Sequence, residues 1–468
     1  MFTINFRSIR QYLFFGLFIL APFSKIPYIP LPILEFTSFR FGLYQIFSLV
    51  FLAVSMPSLA RNGRKLFADR KLQIIIGLLA VCMLVGSISA IDLGRNALLS
   101  ASFIFLVLNM ICAMDFVATH KKKQDVNKYI KAMLYAGIFY GFVSLVHLLI
   151  VTFGDTGFLL CKGCLDTAFG FPRINVFAAE PLFWANALLP FFVIALYSLY
   201  HKYSRLALLA LFGVTMAIGL TFTRGAYIAV GFMCLVLFVI TVRRKQINFG
   251  GSRNAILAVG IGFILSWTLL IGSAVHIYSG APYIAYNTFR GMVEHVTLGV
   301  ITLPEKHETV VVVSNKEDSG SKDNFVSGGL VEASQNERTE SAKLAFKALK
   351  YDVRTLLFGV GLGNLGPFVT DNIYGGAASN LTVYIFYVLF VSEMGLVGLG
   401  AFLALFGLAL YRLVKQKEDI ATITALILIG FLVQYMFFGS YINVIYIWLW
   451  LGVGLGVGIQ ASKHKVEK

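Results

Sequence analysis

Runs of about 17–25 predominantly apolar residues recur along this chain, each long enough to cross a hydrocarbon core as a helix. No other feature restricts the fold as strongly, because a backbone in lipid must pair its own N–H and C=O groups, and a helix does so within one segment. About twelve such runs are centred near residues 11–28, 40–58, 72–90, 97–118, 130–153, 174–199, 206–223, 225–242, 254–275, 382–411, 420–439 and 441–460. With 58% hydrophobic and 13% charged residues over 468 positions, the composition excludes an ordinary soluble protein. The expected fold class is an all-α polytopic membrane protein of about twelve transmembrane helices, with one large extracytoplasmic loop between the ninth and tenth. The chain then divides into an N-terminal bundle over 1–275, the loop over 276–381 with a short amphipathic helix and a Gly-rich segment, and C-terminal helices with a basic tail over 382–468. The first run lacks a small-residue cleavage site and is punctuated by prolines, so it reads as a retained helix and not a signal peptide.

A net charge of +16 invites a nucleic-acid reading, and the location of the charge argues against it. The long loop holds nine Lys/Arg and eleven Asp/Glu, so the excess lies in or between the apolar runs. Most of it falls in alternate connections: Arg7 and Arg10, the 61–71 and 121–131 stretches, Lys202 and Arg205, the 243–253 stretch, Arg412 to Lys417, and the tail from Lys463. This is the positive-inside pattern. It places both termini in the cytoplasm and the loop outside, in a multi-pass protein of the cytoplasmic (inner) membrane, with the lipid bilayer and not nucleic acid as partner. Lys25, Arg40, Arg95, Lys162, Arg173 and Arg224 run against that bias, and each needs another reason to be where it is.

Several of those reasons can be weighed from the residues. Asp92 and Arg95 form a neutralising pair at a turn. Glu180-Pro181 and Asn186 stand in the outer part of the sixth run, where a carboxylate and an amide are costly unless they face protein or water. Glu180 could simply pair with Arg173 or Arg224 to hold helices together. Thr223-Arg224-Gly225 forms the tip of a tight hairpin. A snorkelling arginine is one account of it; a clamp on an anion is the other, since guanidinium binds phosphate oxygens bidentately and stays charged. Glu393 is either a packing element or lines a cavity. Cys161-x-x-Cys164 is open between a local disulfide, idle thiols and half of a zinc site; Cys82, Cys112 and Cys234 read as small hydrophobes. Asn336 is a plausible cap for a helix carrying Arg338 and an apolar face through Ala342, Ala345 and Leu349. Gly361-Leu362-Gly363-Asn364-Leu365-Gly366 matches G-x-G-x-x-G, yet no strand–helix unit surrounds it. Its glycines are expected to let the loop turn back closely against the bundle.

In order and spacing, these pieces resemble the bacterial O-antigen ligase and O-antigen polymerase superfamily over about residues 130–410. The matching pieces are Arg173 ahead of Glu180-Pro181, the Thr223-Arg224-Gly225 hairpin, Arg338 leading to Leu357-Phe358-Gly359-Val360-Gly361, and Ser379-Asn380-Leu381 followed by Glu393-Met394-Gly395-Leu396. The resemblance implies a membrane glycosyltransferase of cell-surface polysaccharide assembly, without cofactor or metal. Such an enzyme passes a glycan from a polyprenyl-diphosphate carrier to a glycan or lipid acceptor hydroxyl, and a chain-length regulator is a further partner. Arg224, Arg338 and Glu180 would be catalytic; Arg173, Asn186, Thr223, Ser379 and Asn380 would bind substrate. The ligases place a histidine before the Asn-Leu pair where this chain has Ser379, which tilts the reading toward the polymerase and leaves Glu180, Asp371 or His307 as bases. The alternatives are a transporter or flippase for a polyprenyl-linked oligosaccharide, and an inactive relative that serves assembly.

Overall fold

A segment that is apolar on every side has no polar face to turn toward water, so its helix must be buried in protein or lipid. The structure, a computed structural model, describes residues 6–23, 28–29, 41–120, 123–153, 173–178, 180–201, 204–245, 248–277, 282–297, 300–304, 329–374, 381, 383–416, 418–440 and 444–466. In chain order the first nine helices are α1 (Phe6–Ile19), α2 (Leu43–Leu66), α3 (Arg70–Ile88), α4 (Leu93–Thr119), α5 (Lys123–Phe153), α6 (Pro181–His201), α7 (Arg205–Leu220), α8 (Arg224–Arg243) and α9 (Phe249–Ile277). After them come α10 (Pro282–Val296), α11 (Gly329–Leu349), α12 (Val353–Phe358), α13 (Leu365–Val369), α14 (Phe386–Val414), α15 (Asp419–Gln434) and α16 (Ile445–Val466). Among the described residues, eight of these (α2–α6, α8, α9 and α14) are long and apolar enough to cross a membrane, by length and composition. Four shorter apolar helices, α1, α7, α15 and α16, stand where the other apolar runs fall. Among the described residues the architecture is all-α apart from a two-residue antiparallel pair, Tyr28–Ile29 with Phe41–Gly42.

Small residues set how closely the helices approach. A Cβ on Gly141 of α5 would lie 2.7 Å from the Gly213 Cα of α7, so these two backbones touch. Gly452 and Gly456, one turn apart on α16, would place a Cβ 2.2 and 2.8 Å from the carbonyls of Met110 and Met114 on α4. Where lipid removes the hydrophobic drive between helices, this backbone proximity supplies the dispersion contact. Helix α6 is buried along nearly its whole length and is packed by α5, α7, α8, α9 and α15.

Arg10 is more than a topological charge. Its guanidinium donates to Asp115 at 2.6 Å, to Ser55 Oγ at 3.0 Å and to the Cys112 carbonyl at 3.2 Å. Asp115 is completely buried and also accepts from Ser58 Oγ (2.6 Å) and Asn62 Nδ2 (3.2 Å). One satisfied network therefore ties α1, α2 and α4 together. Arg412 of α14 pairs likewise with Asp69 at the start of α3.

The loop folds onto the bundle around a second small core. Ala345 and Ala348 of α11, Val360, Leu365, Phe368, Val369 and Val383 are buried together. Helix α11 begins at Gly329, so Asn336 lies inside it and does not cap it; the following segment is capped instead by Asp352, whose carboxylate accepts from Thr355 N at 2.6 Å while Thr355 Oγ1 accepts from Asp352 N.

The glycine run then closes on α14. Gly395 breaks that helix (φ 71°, ψ 179°), which frees the carbonyls of Ser392 and Glu393. Val360 N and Gly361 N donate to them, each at 3.0 Å. The two backbones touch here: a Cβ on Gly359 would sit 2.2 Å from the Glu393 carbonyl carbon, and one on Gly395 would sit 2.1 Å from the Leu357 carbonyl oxygen. Asn96 Nδ2 donates to the Leu362 carbonyl (3.1 Å) and Asp92 N to Asn364 Oδ1 (2.7 Å), which pins the run to the start of α4, while a Cβ on Gly361 would lie 2.7 Å from the Gly86 carbonyl oxygen of α3. The expected close return of this loop is what the glycines perform. Asp92 also accepts from Arg95 N at 2.9 Å, so it serves as the cap of α4.

Candidate functional site

The three arginines singled out in the sequence come from segments far apart in the chain, and the fold gathers them. Arg224 is the first residue of α8, half-buried, and it feels the charges of both Arg338 and Arg173. Arg338 lies on α11 with its guanidinium over the Tyr384 ring, 5.1 Å from the centroid. Arg173 Nε donates to the Thr221 carbonyl at 3.0 Å, and Ile174 N reaches the Leu220 carbonyl, so residues 173–178 lie along the hairpin between α7 and α8.

Local turns fix this geometry. In the hairpin, Phe222 holds a positive φ of 49° although it has a Cβ, and it is fully buried. Thr221 Oγ1 and Thr223 Oγ1 lie 2.7 Å apart, and Thr221 N returns to the Ile218 carbonyl. Val176 (φ 46°) makes the matching bend in the 173–178 segment, again buried. Such strain persists where the surroundings over-determine it, and the two bends flank Arg173 and Arg224 in the chain.

The floor is built from helix ends. A Cβ on Gly225 would meet Phe437 Cβ at 2.6 Å and Gln434 Oε1 at 3.1 Å, so the start of α8 sits on the end of α15. Phe386 N donates to the Tyr435 carbonyl at 3.1 Å, and a Cβ on Gly439 would collide with the Val383 carbonyl. The α14 start, carrying Tyr384 under Arg338, is thus seated on the same turn. Two helix N-termini, of α8 and α14, end at this junction, and their partial positive charge favours an anion.

Other expected residues are placed differently. Glu180 is not inside a transmembrane helix: α6 starts at Pro181, a residue suited to the first helical position, and Glu180 is exposed just outside, its carbonyl accepting from Phe183 N and Trp184 N. Asn186 is completely buried in α6. Thr223 is buried beside Arg224. Asp371 is exposed on a π-helical turn, Thr370–Tyr374. Ser379, Asn380, His307, Cys161 and Cys164 lie outside the described residues. Glu393 is buried, and its carbonyl anchors the glycine run.

Sequence reasoning missed Tyr384, Gln434 and Tyr435. Tyrosines near an interface are common, and a glutamine at a helix end draws no notice; only the seating of α8 on the α15 turn gives them meaning. Among the described residues, no three His, Cys, Asp or Glu side chains converge as ligands for a metal ion.

Chemically, a guanidinium that lies within the fields of two others, beside two helix N-termini, suits a ligand of two or more negative charges, such as a diphosphate. No protein-family model matches the chain, and no curated protein matches it.

Proposed function

We propose that this chain is a membrane glycosyltransferase of the O-antigen ligase and polymerase type, with the polymerase slightly favoured. It moves a glycan from a polyprenyl-diphosphate carrier to an acceptor hydroxyl. All twelve apolar helices cross the inner membrane in this reading, both termini are cytoplasmic, and the long loop is extracytoplasmic. The observation that supports the proposal is that Arg224, at the start of α8, lies within the electrostatic reach of Arg338 on α11 and of Arg173, which donates to the Thr221 carbonyl of the adjoining turn.

In the reaction, the acceptor oxygen forms a bond to the anomeric carbon while the bond from that carbon to the diphosphate oxygen breaks. The diphosphate leaves with the electron pair, and the hydroxyl proton passes to a base. Charge grows on the leaving diphosphate, so fixed guanidinium groups in a site shielded from bulk water lower the barrier. Arg224 and Arg338 take that role, and Arg173, tethered to the Thr221 carbonyl, completes the clamp. Glu180, exposed at the N-terminal edge of α6, is the base in this reading.

Reconstitution of the purified chain with a polyprenyl-diphosphate oligosaccharide tests this. A ladder of repeats on a gel supports a polymerase, and one transfer to an added acceptor supports a ligase. No covalent transfer with any acceptor rejects both.

The broken helix α14, with a re-entrant loop filling its gap, favours a second reading as a transporter or flippase for the same lipid-linked oligosaccharide, since transporters place discontinuous helices at their sites. Movement of the lipid across sealed vesicles without covalent change would support it.

A further inference from the structure

Directly behind the arginines lie buried polar atoms that the clamp does not use. Gln434 is completely buried, and among the described residues neither its Oε1 nor its Nε2 has a hydrogen-bond partner. It abuts Gly225, the residue after Arg224. Asn186 is likewise completely buried with Oδ1 and Nδ2 both unpartnered among the described residues. One turn before Asn186 on α6, and so on the same side of the helix, Phe183 packs edge-on against Phe438, with centroids 4.7 Å apart. That contact turns the Asn186 face of α6 toward the junction of α8, α14 and α15. The Tyr435 hydroxyl there also lacks a partner among the described residues, as does that of Tyr446 on α16, which lies within the electrostatic reach of Tyr435.

An unsatisfied buried amide is costly, and a bundle in lipid has little bulk water with which to offset it. Two carboxamides left this way, one against the residue after Arg224 and one on the side of α6 that packs on Phe438, match a neutral ligand rich in hydroxyl groups. Carboxamides donate and accept at once, as the hydroxyls of a sugar require. None of these four side chains is charged, so the region complements the arginine clamp and does not extend it.

We infer that Gln434 and Asn186 form a sugar subsite adjoining the anion clamp, which reads hydroxyls of a glycan whose diphosphate is held by the arginines. This inference rests on the glycosyltransferase reading. The sugar could belong to the lipid-linked donor or to the acceptor; the chemistry is the same, and binding measurements separate them.

The experiment uses the full-length chain in detergent and measures affinity for three probes: a bare polyprenyl diphosphate, the same lipid carrying one hexose, and a free oligosaccharide. The variants are Gln434→Leu, Asn186→Leu and Arg224→Ala. A donor-sugar subsite predicts that Gln434→Leu weakens the hexose-bearing lipid about tenfold, the effect of losing one or two neutral hydrogen bonds, and leaves the bare lipid unchanged. An acceptor-sugar subsite predicts the loss on the free oligosaccharide alone. Unchanged bare-lipid affinity also certifies that the variant is folded; should Gln434→Leu lose every probe, Asn186→Leu decides by the same comparison. Equal effects on the bare and hexose-bearing lipids, or none on any sugar, overturn the subsite. Failure of the wild-type chain to bind bare lipid, or indifference of that binding to Arg224→Ala, would overturn the anion clamp instead.

Discussion

At the scale of single residues, a guanidinium and a carboxylate in this bundle do different work. Arg224 begins α8 beside Arg338 and Arg173, and its planar fork is suited to two phosphate oxygens at once. A lysine keeps the charge and loses the fork. Arg224→Lys is therefore expected to lower transfer about tenfold, with the protein still folded, as measured by initial rates in liposomes. Arg10 and Asp115 are the contrast. They satisfy each other in the interior, so Asp115→Ala leaves an uncompensated buried cation and should cost roughly 3–5 kcal/mol of stability, read by unfolding in detergent. The wild-type melting midpoint in that variant would contradict the clamp on α1, α2 and α4. From sequence, Arg173 and Arg224 were legible because they break the charge bias of the connections. Arg10 was not, since its charge has the sign and place that topology demands, and only its contact with Asp115, 105 positions away, distinguishes it.

Among the elements, the decisive one is the seam between the glycine run and α14. Gly359 (φ +77°) lies on the Glu393–Met394 backbone and Gly395 (φ +71°) on the Leu357–Phe358 backbone, where no side chain fits. Gly359→Ala or Gly395→Ala should free the loop from the bundle, which is measured as faster protease cleavage between α10 and α14 together with a lower melting midpoint. Wild-type protection in both would contradict the seam. Helix α12 is held by the reciprocal cap of Asp352 and Thr355. The Thr355 backbone N–H, the largest influence, keeps the Asp352 carboxyl below its ordinary value of 3.8. A carboxyl lowered by folding stabilises the native state above its unfolded value, and that contribution is lost as pH falls through the folded one. Amide protection in α12 should accordingly decline first on acidification below 3.8, and Asp352→Ala should abolish that pH dependence. The apolar runs located the helices well, because length and hydropathy are local properties. Their ends and breaks were less legible: an apolar run continues across Gly395 and across the bend at Val176, and only tertiary contacts reveal where the backbone departs from the helix.

For the whole molecule, the charge pattern implies a single orientation. A cysteine placed at Lys316 should react with a membrane-impermeant maleimide in intact cells, whereas one at Lys463 should react only after permeabilisation, both in a chain freed of its five native cysteines. Labelling of both in intact cells, or of neither, would break the topology on which an outward-facing site depends. Asn186 and Thr223 were legible as polar residues near apolar helix ends. Gln434 and Tyr384 were not, because their roles arise only when the ends of α8, α14 and α15 are brought to one junction.

The central claim is that this junction holds a diphosphate leaving group, and the most direct measurement is glycan transfer by the reconstituted chain compared with its Arg224→Ala and Arg338→Ala variants. The account predicts that each variant folds, still inserts, and loses on the order of 100-fold or more in turnover. Full turnover in either variant would contradict it.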